Sequence, residues 1–170
     1  MSKIRILGVD PGSRYTGWGI VEQQGSQIKR IDSGRIEAHK YGELPNRLVH
    51  IFDELSEVIG TFGPDESALE KVFVSVNGQS TLVLGQARGA AMLTLAKAGL
   101  QVAEYSATQV KSAVVGQGKA GKDQVMSMVQ IILGLQGHKM SEDEADALAV
   151  AICHANSRRF TANPLFVSGG

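Results

Sequence analysis

The sequence predicts a single α/β domain with a mixed central β-sheet, and three observations support this prediction. The chain has 170 residues, a usual length for one domain with its own hydrophobic core. Short apolar runs separated by turn sequences extend as far as Ile36, as in antiparallel strands. From Leu44 onward the apolar residues recur every three or four positions, which is typical of amphipathic helices. No repeat or linker is visible, so one domain accounts for the pattern.

The order of the expected elements decides which strand ends meet. Strands are expected at 4–9, 18–21 and 28–36, and they form an antiparallel meander because only short turns join them. A helix over 44–60 leads to a strand at 68–70, which should run parallel to the first strand because a helical crossover connects them. The remaining expected elements are a helix over 80–97, a strand over 100–105 and helices over 108–115, 123–133 and 142–155.

Composition excludes several classes of protein. Hydrophobic residues make up 43% and charged residues 20%, the balance of a globular domain rather than a disordered chain. Cys153 is the single cysteine, so no intrachain disulfide can form. No apolar run reaches the roughly 18 residues of a membrane span, and the N-terminus does not resemble a secretion signal. We therefore expect a cytoplasmic protein whose domain spans residues 1–156, followed by a flexible tail over 157–170.

The formal net charge is zero, but the charges are distributed unevenly along the chain. Residues 71–139 carry seven basic and two acidic residues, whereas residues 1–70 carry eight basic and 11 acidic residues. The basic central segment could present a positive face to a polyanion such as nucleic acid. The alternative is an uneven solvated surface without a binding role.

Two acidic residues, Asp10 and Glu70, stand at the ends of predicted strands. Because neighbouring parallel strands end at the same edge of a sheet, their carboxylates should emerge side by side. Such carboxylates repel each other unless they share a cation, and Mg²⁺ prefers oxygen ligands. The pair therefore predicts a metal site. Taken separately, Asp10 could be a turn residue before Pro11, and Glu70 could form a surface ion pair with Lys71.

Four acidic residues open the last predicted helix. Ser141 and Glu144 match a capping box, and the helix dipole favours acidic residues in a first turn. Helical projection places Asp146 beside the buried stripe, where capping does not explain it, and Asp143 lies three residues earlier, within reach of the same ligand. Glu142 projects from the same flank, so geometry leaves it as an alternative. The expected buried stripe consists of Ala145, Leu148, Ala149 and Ile152.

Five blocks of the sequence occur in order between residues 4 and 156. They are GVDPGSRYTGWGIV at 8–21, ALEKVF at 68–73, LGQARGAA at 84–91, QVKSAVVGQGKAGK at 109–122 and DEADALAVA at 143–151. Together they resemble the RuvC family of bacterial Holliday-junction resolvases. The resemblance implies a ribonuclease H-like fold with a central mixed five-stranded sheet flanked by helices. It also implies a Mg²⁺-dependent endonuclease that resolves Holliday junctions by paired symmetric nicks, in recombination and repair.

The resemblance implies a metal-binding acidic tetrad and two catalytic lysines. The tetrad corresponds to Asp10, Glu70, Asp143 and Asp146. This favours Asp143 over Glu142, although the family also has His at the Asp143 position. Two Mg²⁺ ions would activate water and stabilise the leaving 3′ oxygen, giving 5′-phosphate and 3′-hydroxyl products. Lys111 and Lys122 would lie near the phosphate as its negative charge grows, although each could be a solvated surface residue.

The resemblance also implies contacts with DNA. The corresponding residues are Phe73, Asn77, Ser80, Arg88 and Lys119. The aromatic at the Phe73 position would stack on bases near the junction, whereas the alternative is a core residue of the fourth strand. This chain has Lys71 where the family commonly has Gln, and Val76 where a basic residue is frequent. The sequence preference of cleavage therefore cannot be transferred to this chain.

A junction with approximate two-fold symmetry needs two active sites for two coordinated nicks, so the homodimer of the family is expected. Gly85 and Gly89 lie one turn apart on the second predicted helix and would allow close approach of a second copy. Alternatively, these glycines pack against the sheet of their own chain. The RuvA and RuvB branch-migration proteins are further partners that the resemblance implies, and no membrane partner is expected.

Three other functions fit parts of the pattern. An actin-like ATPase or sugar kinase shares the opening strand, Asp and turn, but it needs a second phosphate loop and a duplicated domain. A non-catalytic junction or RNA-binding module would not require Asp10, Glu70 and Asp146 together. A ribonuclease H-like nuclease on another nucleic acid shares the metal chemistry, so a comparison of substrates is needed to separate it from a resolvase.

Overall fold

A five-stranded mixed β-sheet forms the centre of the protein. The computed structural model describes residues 2–72 and 76–161, with side chains described as far as Arg158. The strands are β1 (Ile4–Asp10), β2 (Thr16–Gln24), β3 (Gln27–Ile36), β4 (Glu66–Glu70) and β5 (Val102–Tyr105). The helices are α1 (Leu44–Phe62), α2 (Gly78–Lys97), α3 (Ala107–Val115), α4 (Lys122–Ile132) and α5 (Glu142–Thr161). A short 3-10 helix over Ala38–Tyr41, which was not predicted, follows β3.

The strand order is β3-β2-β1-β4-β5. β1 and β3 run antiparallel to β2, which confirms the predicted meander. β4 runs parallel to β1 and to β5, which confirms the predicted crossover. Val9 pairs with Leu69 in the parallel register, so the following residues, Asp10 and Glu70, end their strands side by side at the same edge of the sheet. We call this end of the sheet the acidic edge.

Helices cover both faces of the sheet. On one face, Leu7, Ile20 and Leu69 join a core cluster with α1 and α2. On the other face, Ile6 and Ala68 join a second cluster that includes residues of α3, α4 and α5. Neighbouring residues of a strand thus serve opposite clusters, as the two-residue period of a strand requires. Burial on both faces explains why β1 reads as an almost continuous apolar run.

Helix α5 approaches the sheet closely because glycines on β1 and β2 leave room for it. A Cβ atom on Gly8 would collide with the Ala147 carbonyl oxygen, and one on Gly19 would collide with the Leu148 side chain. The predicted buried stripe of α5 is confirmed. The structure also buries Ala147, Val150, Ala151 and Cys153. The middle of α5 is enclosed on all sides because the sheet covers one side and α3 and α4 cover the other.

The C-terminal boundary differs from the expected one. α5 continues to Thr161, whereas the sequence pattern ends the helix at 155. The remainder of the expected tail, residues 162–170, lies outside the described residues. Among the helices described, none combines the length and the apolar character that a membrane span requires.

Candidate functional site

The acidic edge opens into a cleft of about 370 Å³ between the sheet and helices α3, α4 and α5. The cleft is lined by Asp10, Glu70, Ala107, Val110, Lys111, Lys122, Val125, Glu142, Asp143, Asp146 and Ala149. All four predicted metal ligands and both predicted catalytic lysines therefore line one cavity, although they come from five different elements. A larger cavity of about 560 Å³ lies beside the β2–β3 turn, but its ionisable groups, Glu22 and Lys29, pair with each other.

The turn after β1 fixes Asp10 at the mouth of the cleft. The buried Thr16 hydroxyl accepts a hydrogen bond from the Gly12 amide at 3.2 Å and donates one to the Gly12 carbonyl oxygen at 2.9 Å. These two bonds close the turn, so the chain reverses directly after Asp10 and enters β2. Asp10 pairs with Gly17 of β2 and remains part of the sheet. Its carboxylate is therefore held by a strand rather than by a mobile loop.

Glu144 has a structural task, as predicted. Its amide donates to the Ser141 hydroxyl at 3.2 Å, and its carboxylate accepts a hydrogen bond from the Ser141 amide at 3.4 Å. This reciprocal pair is the capping box expected from the sequence. The Glu144 carboxylate also accepts a hydrogen bond from the Ser33 hydroxyl of β3 at 2.6 Å. Glu144 thus anchors the start of α5 to the sheet.

Glu142 and Asp143, which helical projection could not separate, have different surroundings. Glu142 Oε1 lies 2.6 Å from Lys122 Nζ, so its charge is already compensated. Asp143 packs its backbone against Gly17 of β2, which brings its side chain to the sheet side of the cleft. The ion pair of Asp143 is much longer, with Arg35 Nη1 4.0 Å from Asp143 Oδ2, so Asp143 is the better candidate for a metal ligand.

Burial and mutual repulsion make negative charge in the cleft unfavourable. Burial raises the pKa of Asp10 well above its ordinary value, and Asp146, Glu70 and Asp143 raise this pKa further. Burial also raises the pKa of Asp146 to about 6, although Lys122 opposes the shift. The pKa of Glu70 is raised by burial as well, against the effect of nearby lysines. A divalent cation in the cleft would stabilise the ionised form of each carboxyl group.

The donor set fits a hard divalent cation. The four candidate ligands offer carboxylate oxygens, which Mg²⁺ prefers. Within residues 2–72 and 76–161, no three His, Cys, Asp or Glu side chains converge closely enough to form a complete metal cluster. The fit therefore rests on the chemistry and shared location of the carboxylates.

The predicted lysines divide into two groups. Lys111 of α3 and Lys122 of α4 line the cleft wall that faces the strand ends. Lys119 is exposed in the loop between these helices and does not line the cleft. Lys119 is therefore separated from the two lysines that line the cleft.

The predicted DNA contacts near the start of α2 are exposed. Asn77 caps this helix, and its side-chain oxygen accepts hydrogen bonds from the Gln79 amide at 3.1 Å and the Ser80 amide at 3.2 Å. Ser80 is also exposed. Phe73, the predicted stacking residue, lies outside the described residues.

Arg88 was also predicted to bind DNA, but its side chain contacts other residues of the chain. Its Nε donates a hydrogen bond to the Glu70 carbonyl oxygen at 3.3 Å, and its Nη2 pairs with the Glu104 carboxylate. The structure therefore gives Arg88 two partners within the chain.

Sequence reasoning missed two residues beside the cleft. Asp10, Gly17 and Arg35 form one row across β1, β2 and β3. The Asp143 backbone fills the space that a side chain on Gly17 would need, and Arg35 Nη1 lies 4.0 Å from Asp143 Oδ2. The Arg35 guanidinium also lies 4.1 Å from the centre of the Tyr15 ring. The glycine within a strand was a usable signal of close approach, whereas no local pattern marks Arg35.

The raised pKa of Asp146 predicts a pH-dependent stability difference between the metal-free protein and its Asp146→Asn variant. A folded-state pKa of about 6, above the ordinary 3.8, means that ionised Asp146 destabilises the fold above pH 6 but not below pH 4. The variant should therefore match the wild type near pH 4 and exceed its free energy of unfolding near pH 7. We expect a difference of up to about 2 kcal/mol, because partial exposure weakens the effect.

Urea unfolding in the presence of a chelator at both pH values measures this difference. Glu57→Gln on the exposed side of α1 is the matched control, and it should show no comparable change with pH. If the free energies of unfolding of Asp146→Asn and the wild type differ by the same amount at pH 4 and pH 7, the electrostatic explanation is contradicted.

Comparisons with known proteins agree with the fold. A family model described as crossover junction endodeoxyribonuclease RuvC matches residues 6–154. A crossover junction endodeoxyribonuclease RuvC of Cupriavidus pinatubonensis is 56% identical over 153 residues, which are 90% of this chain and 84% of that protein. The RuvC of Janthinobacterium sp. (strain Marseille) is 57% identical over 154 residues, 91% of this chain and 84% of that protein.

A solved structure matches over nearly the same length. The structure of T. thermophilus RuvC in complex with Holliday junction substrate has a TM-score of 0.86 and 31% sequence identity. The match covers 93% of this chain and 96% of that chain, which confirms the predicted ribonuclease H-like fold. Because both the family model and relatives more than half identical extend over most of its length, this chain belongs to the RuvC family of crossover junction endodeoxyribonucleases.

Proposed function

We propose that this protein is a Mg²⁺-dependent endonuclease that resolves Holliday junctions by paired symmetric nicks in DNA. The observation that carries the proposal is one cleft in which acidic residues of β1, β4 and α5 face lysines of α3 and α4. The Holliday junction bound to T. thermophilus RuvC supports a branched DNA substrate for this chain. A ribonuclease H-like nuclease on another substrate would use the same cleft, so the substrate has to be tested directly.

The carboxylates of the cleft would hold the metal. We assign this role to Asp10, Glu70, Asp143 and Asp146. When bound, Mg²⁺ supplies an activated water and charge stabilisation for the leaving 3′ oxygen, with two ions per site in the arrangement we propose. Asp10 would be a central member of this set, because the charges of the three other acids all raise the pKa of its carboxyl group. Metal binding and loss of protons from these carboxyl groups are then coupled.

The lysines of the cleft would neutralise the scissile phosphate. Lys122 is held by Glu142 at the cleft, and this contact raises the pKa of Lys122, so its ammonium group stays charged. Lys111 lines the same wall. Two ammonium groups opposite the carboxylates would stabilise the negative charge that the phosphate gains during in-line displacement. The products would carry a 5′-phosphate and a 3′-hydroxyl.

DNA would reach the cleft across the exposed ends of helices around it. Lys119, Asn77 and Ser80 are exposed, which supports a role in contacting the sugar-phosphate backbone. Phe73 remains a predicted stacking residue for a base near the junction. Binding that depends on such basic contacts should weaken as the salt concentration rises.

A homodimer would bring two clefts to one junction. The exposed face of α2 carries Leu82, Gly85, Gln86, Gly89 and Leu93, which we call the α2 stripe. Leu82 is 64% exposed and Leu93 is 62% exposed. The alternative packing of the glycines against their own sheet is wrong, because a Cβ atom on Gly85 or Gly89 would meet no atom within 4 Å. A flat apolar stripe of this kind supports close packing of a second α2.

Charge on the α2 stripe should separate the dimer. We expect the Leu82→Asp/Leu93→Asp variant to sediment as a monomer and to give single, uncoupled nicks, because an isologous interface places each new charge near its symmetry copy. Val49→Asp is the matched control, since Val49 of α1 is 57% exposed and outside the stripe. Sedimentation velocity measures the oligomeric state. A double variant that remains dimeric would exclude the α2 stripe as the interface.

The cytoplasmic location and the docking of RuvA and RuvB stay predictions that follow from family membership.

The substrate test compares three nucleic acids of equal length. Purified protein with Mg²⁺ should cut a four-way DNA junction in pairs of symmetric nicks, and it should cut a linear duplex and an RNA/DNA hybrid at least about 100-fold more slowly. Replacing Mg²⁺ by EDTA should stop cutting but leave junction binding detectable by gel shift. Equal cutting of all three substrates would favour the ribonuclease H-like alternative, and binding without cutting in Mg²⁺ would favour a non-catalytic junction-binding module.

A further inference from the structure

Arg88 joins helix α2 to the ends of strands β4 and β5. Its Nε donates a hydrogen bond to the Glu70 carbonyl oxygen at 3.3 Å, and its Nη2 pairs with the Glu104 carboxylate. The Arg88 side chain is 17% exposed, so the guanidinium lies against the protein. One side chain therefore connects three elements next to the acidic edge.

The end of β4 is paired with a neighbouring strand on one side only, because Glu70 pairs with Tyr105 of β5. Glu70 is the last residue of β4, and the paired register with β1 ends one residue earlier, at Val9 and Leu69. On the β5 side, the amide of Lys71 donates to the Tyr105 carbonyl oxygen at 2.8 Å. The carbonyl oxygen of the same Glu70–Lys71 peptide group accepts the hydrogen bond from Arg88 Nε, so Tyr105 and Arg88 together hold the plane of this group. Because that plane sets the direction of the Glu70 side chain, Arg88 influences where the carboxylate enters the cleft.

The charge of Arg88 argues against a primary contact with DNA. Glu104 already compensates the guanidinium, so a phosphate would have to displace a carboxylate from a partly buried pair. A planar guanidinium can satisfy a carbonyl oxygen and a carboxylate at once, which the single ammonium group of a lysine does less well. The observed contacts therefore suit a structural task better than recruitment of the DNA backbone.

We propose that Arg88 is a positioning residue that holds the end of β4 so that the Glu70 carboxylate points into the cleft. This inference rests on the proposed function, because it presumes that Glu70 is a metal ligand. Arg88 lies on the same helix as the α2 stripe, so the contact also links the helix proposed for dimerisation to the site proposed for cleavage.

The Arg88→Ala variant separates positioning from DNA binding. Supporting groups of metal ligands typically affect activity or metal affinity by 10- to 100-fold. We expect the cutting rate at saturating junction and Mg²⁺ to fall by about 10- to 100-fold. The junction Kd should stay within about twofold, and the slope of log Kd against log salt should not change, because no phosphate contact is lost. Calorimetric titration with Mn²⁺, without DNA, should show an affinity lowered by about tenfold.

Three further variants make the test specific. Lys97→Ala removes an exposed basic residue from the same helix and should match the wild type in rate and Mn²⁺ affinity. Glu104→Gln keeps an oxygen acceptor for Arg88 but removes the charge that would compete with a phosphate. Junction affinity should nevertheless stay unchanged, because a positioning residue makes no contact with DNA, and a tighter junction Kd would contradict the proposal. Arg88→Lys keeps the charge but spans the two acceptors poorly, so it should show an intermediate loss of rate and Mn²⁺ affinity. If Arg88→Ala does not fold, the rate and Mn²⁺ affinity of Arg88→Lys decide the outcome.

Two results would overturn the proposal. A tenfold weaker junction Kd for Arg88→Ala, with a salt slope reduced by about one and a normal saturated rate, would identify a phosphate contact. Wild-type rate and Mn²⁺ affinity in both Arg88 variants would show that the contact positions nothing. If the wild-type protein does not cut junctions at all, the proposed function fails, whereas the Mn²⁺ titrations still decide the role of Arg88.

Discussion

Replacing Asp10 by asparagine should lower the rate of junction cutting by about 1,000-fold or more while junction binding stays within about twofold. The substitution keeps the size of the side chain but removes the carboxylate whose pKa the three other acids of the cleft all raise. A neutral amide cannot balance the charge of two divalent cations. DNA binding should persist, because the exposed basic residues around the cleft are unchanged.

The same substitution should stabilise the metal-free protein. Burial and three neighbouring carboxylates raise the pKa of Asp10, so its ionised form destabilises the fold near neutral pH. Asparagine removes this charge, and we expect a higher thermal midpoint in EDTA. In Mg²⁺ the thermal midpoint of the wild-type protein should equal or exceed that of the variant. The wild-type protein gains stability from the bound metal, whereas the variant binds it poorly.

Single-turnover cleavage, gel-shift titration and thermal unfolding with and without Mg²⁺ measure these effects. Asp53→Asn on the exposed side of α1 is the matched control, and it should behave like the wild type in all three assays. A variant that cuts junctions at the wild-type rate would remove Asp10 from the metal site. An unchanged thermal midpoint in EDTA would show that the cleft does not disfavour its charge.

Replacing Gly17 by alanine should have the largest effect among substitutions that leave every charge of the site in place. A Cβ atom on Gly17 would collide with the carbonyl oxygen of Asp143, a rigid backbone atom. The start of α5 would have to move away from β2, and Asp143 would move with it. We expect a loss of about 2–3 kcal/mol in the free energy of unfolding and at least about 100-fold in cutting rate.

Gly60→Ala provides the comparison for this substitution. Gly60 lies within α1, where a Cβ atom would meet nothing within 4 Å, so alanine should raise helix stability by up to about 1 kcal/mol. Urea unfolding and cleavage kinetics measure both variants. A Gly17→Ala variant with wild-type stability and rate would mean that α5 does not depend on this close approach.

Residues that act through their neighbours along the chain were predictable. The apolar periods predicted the meander, α1 and the parallel crossover, since two- and 3.6-residue periods depend on local backbone geometry. The capping box of Ser141 and Glu144 was predictable for the same reason. The meeting of Asp10 and Glu70 followed from the parallel arrangement of their strands. Family resemblance favoured Asp143 over Glu142, which helical spacing could not separate, and it added Lys111 and Lys122, which local patterns could not distinguish from surface residues.

The partners of the long cationic side chains were not predictable from local patterns. Arg88 reads as a basic residue of the LGQARGAA block, yet it pairs with Glu104 on a strand 16 residues away. Arg35 reads as the end of a strand, yet it approaches Asp143 across the sheet. Such pairs depend on how separate elements are stacked, because a flexible side chain can reach several positions of similar energy.

By itself, the sequence determined the order and type of the elements, the edge of the sheet at which two carboxylates emerge, and the family to compare with. These features follow from local periodicity and from the short list of allowed connections between strands. Three features became visible only in the tertiary structure. Gly85 and Gly89 face outward, and the start of α5 packs against Gly17. Arg88 donates a hydrogen bond to the Glu70 carbonyl oxygen. These features were not predictable from the sequence, because each depends on the distance between residues that are far apart in the chain.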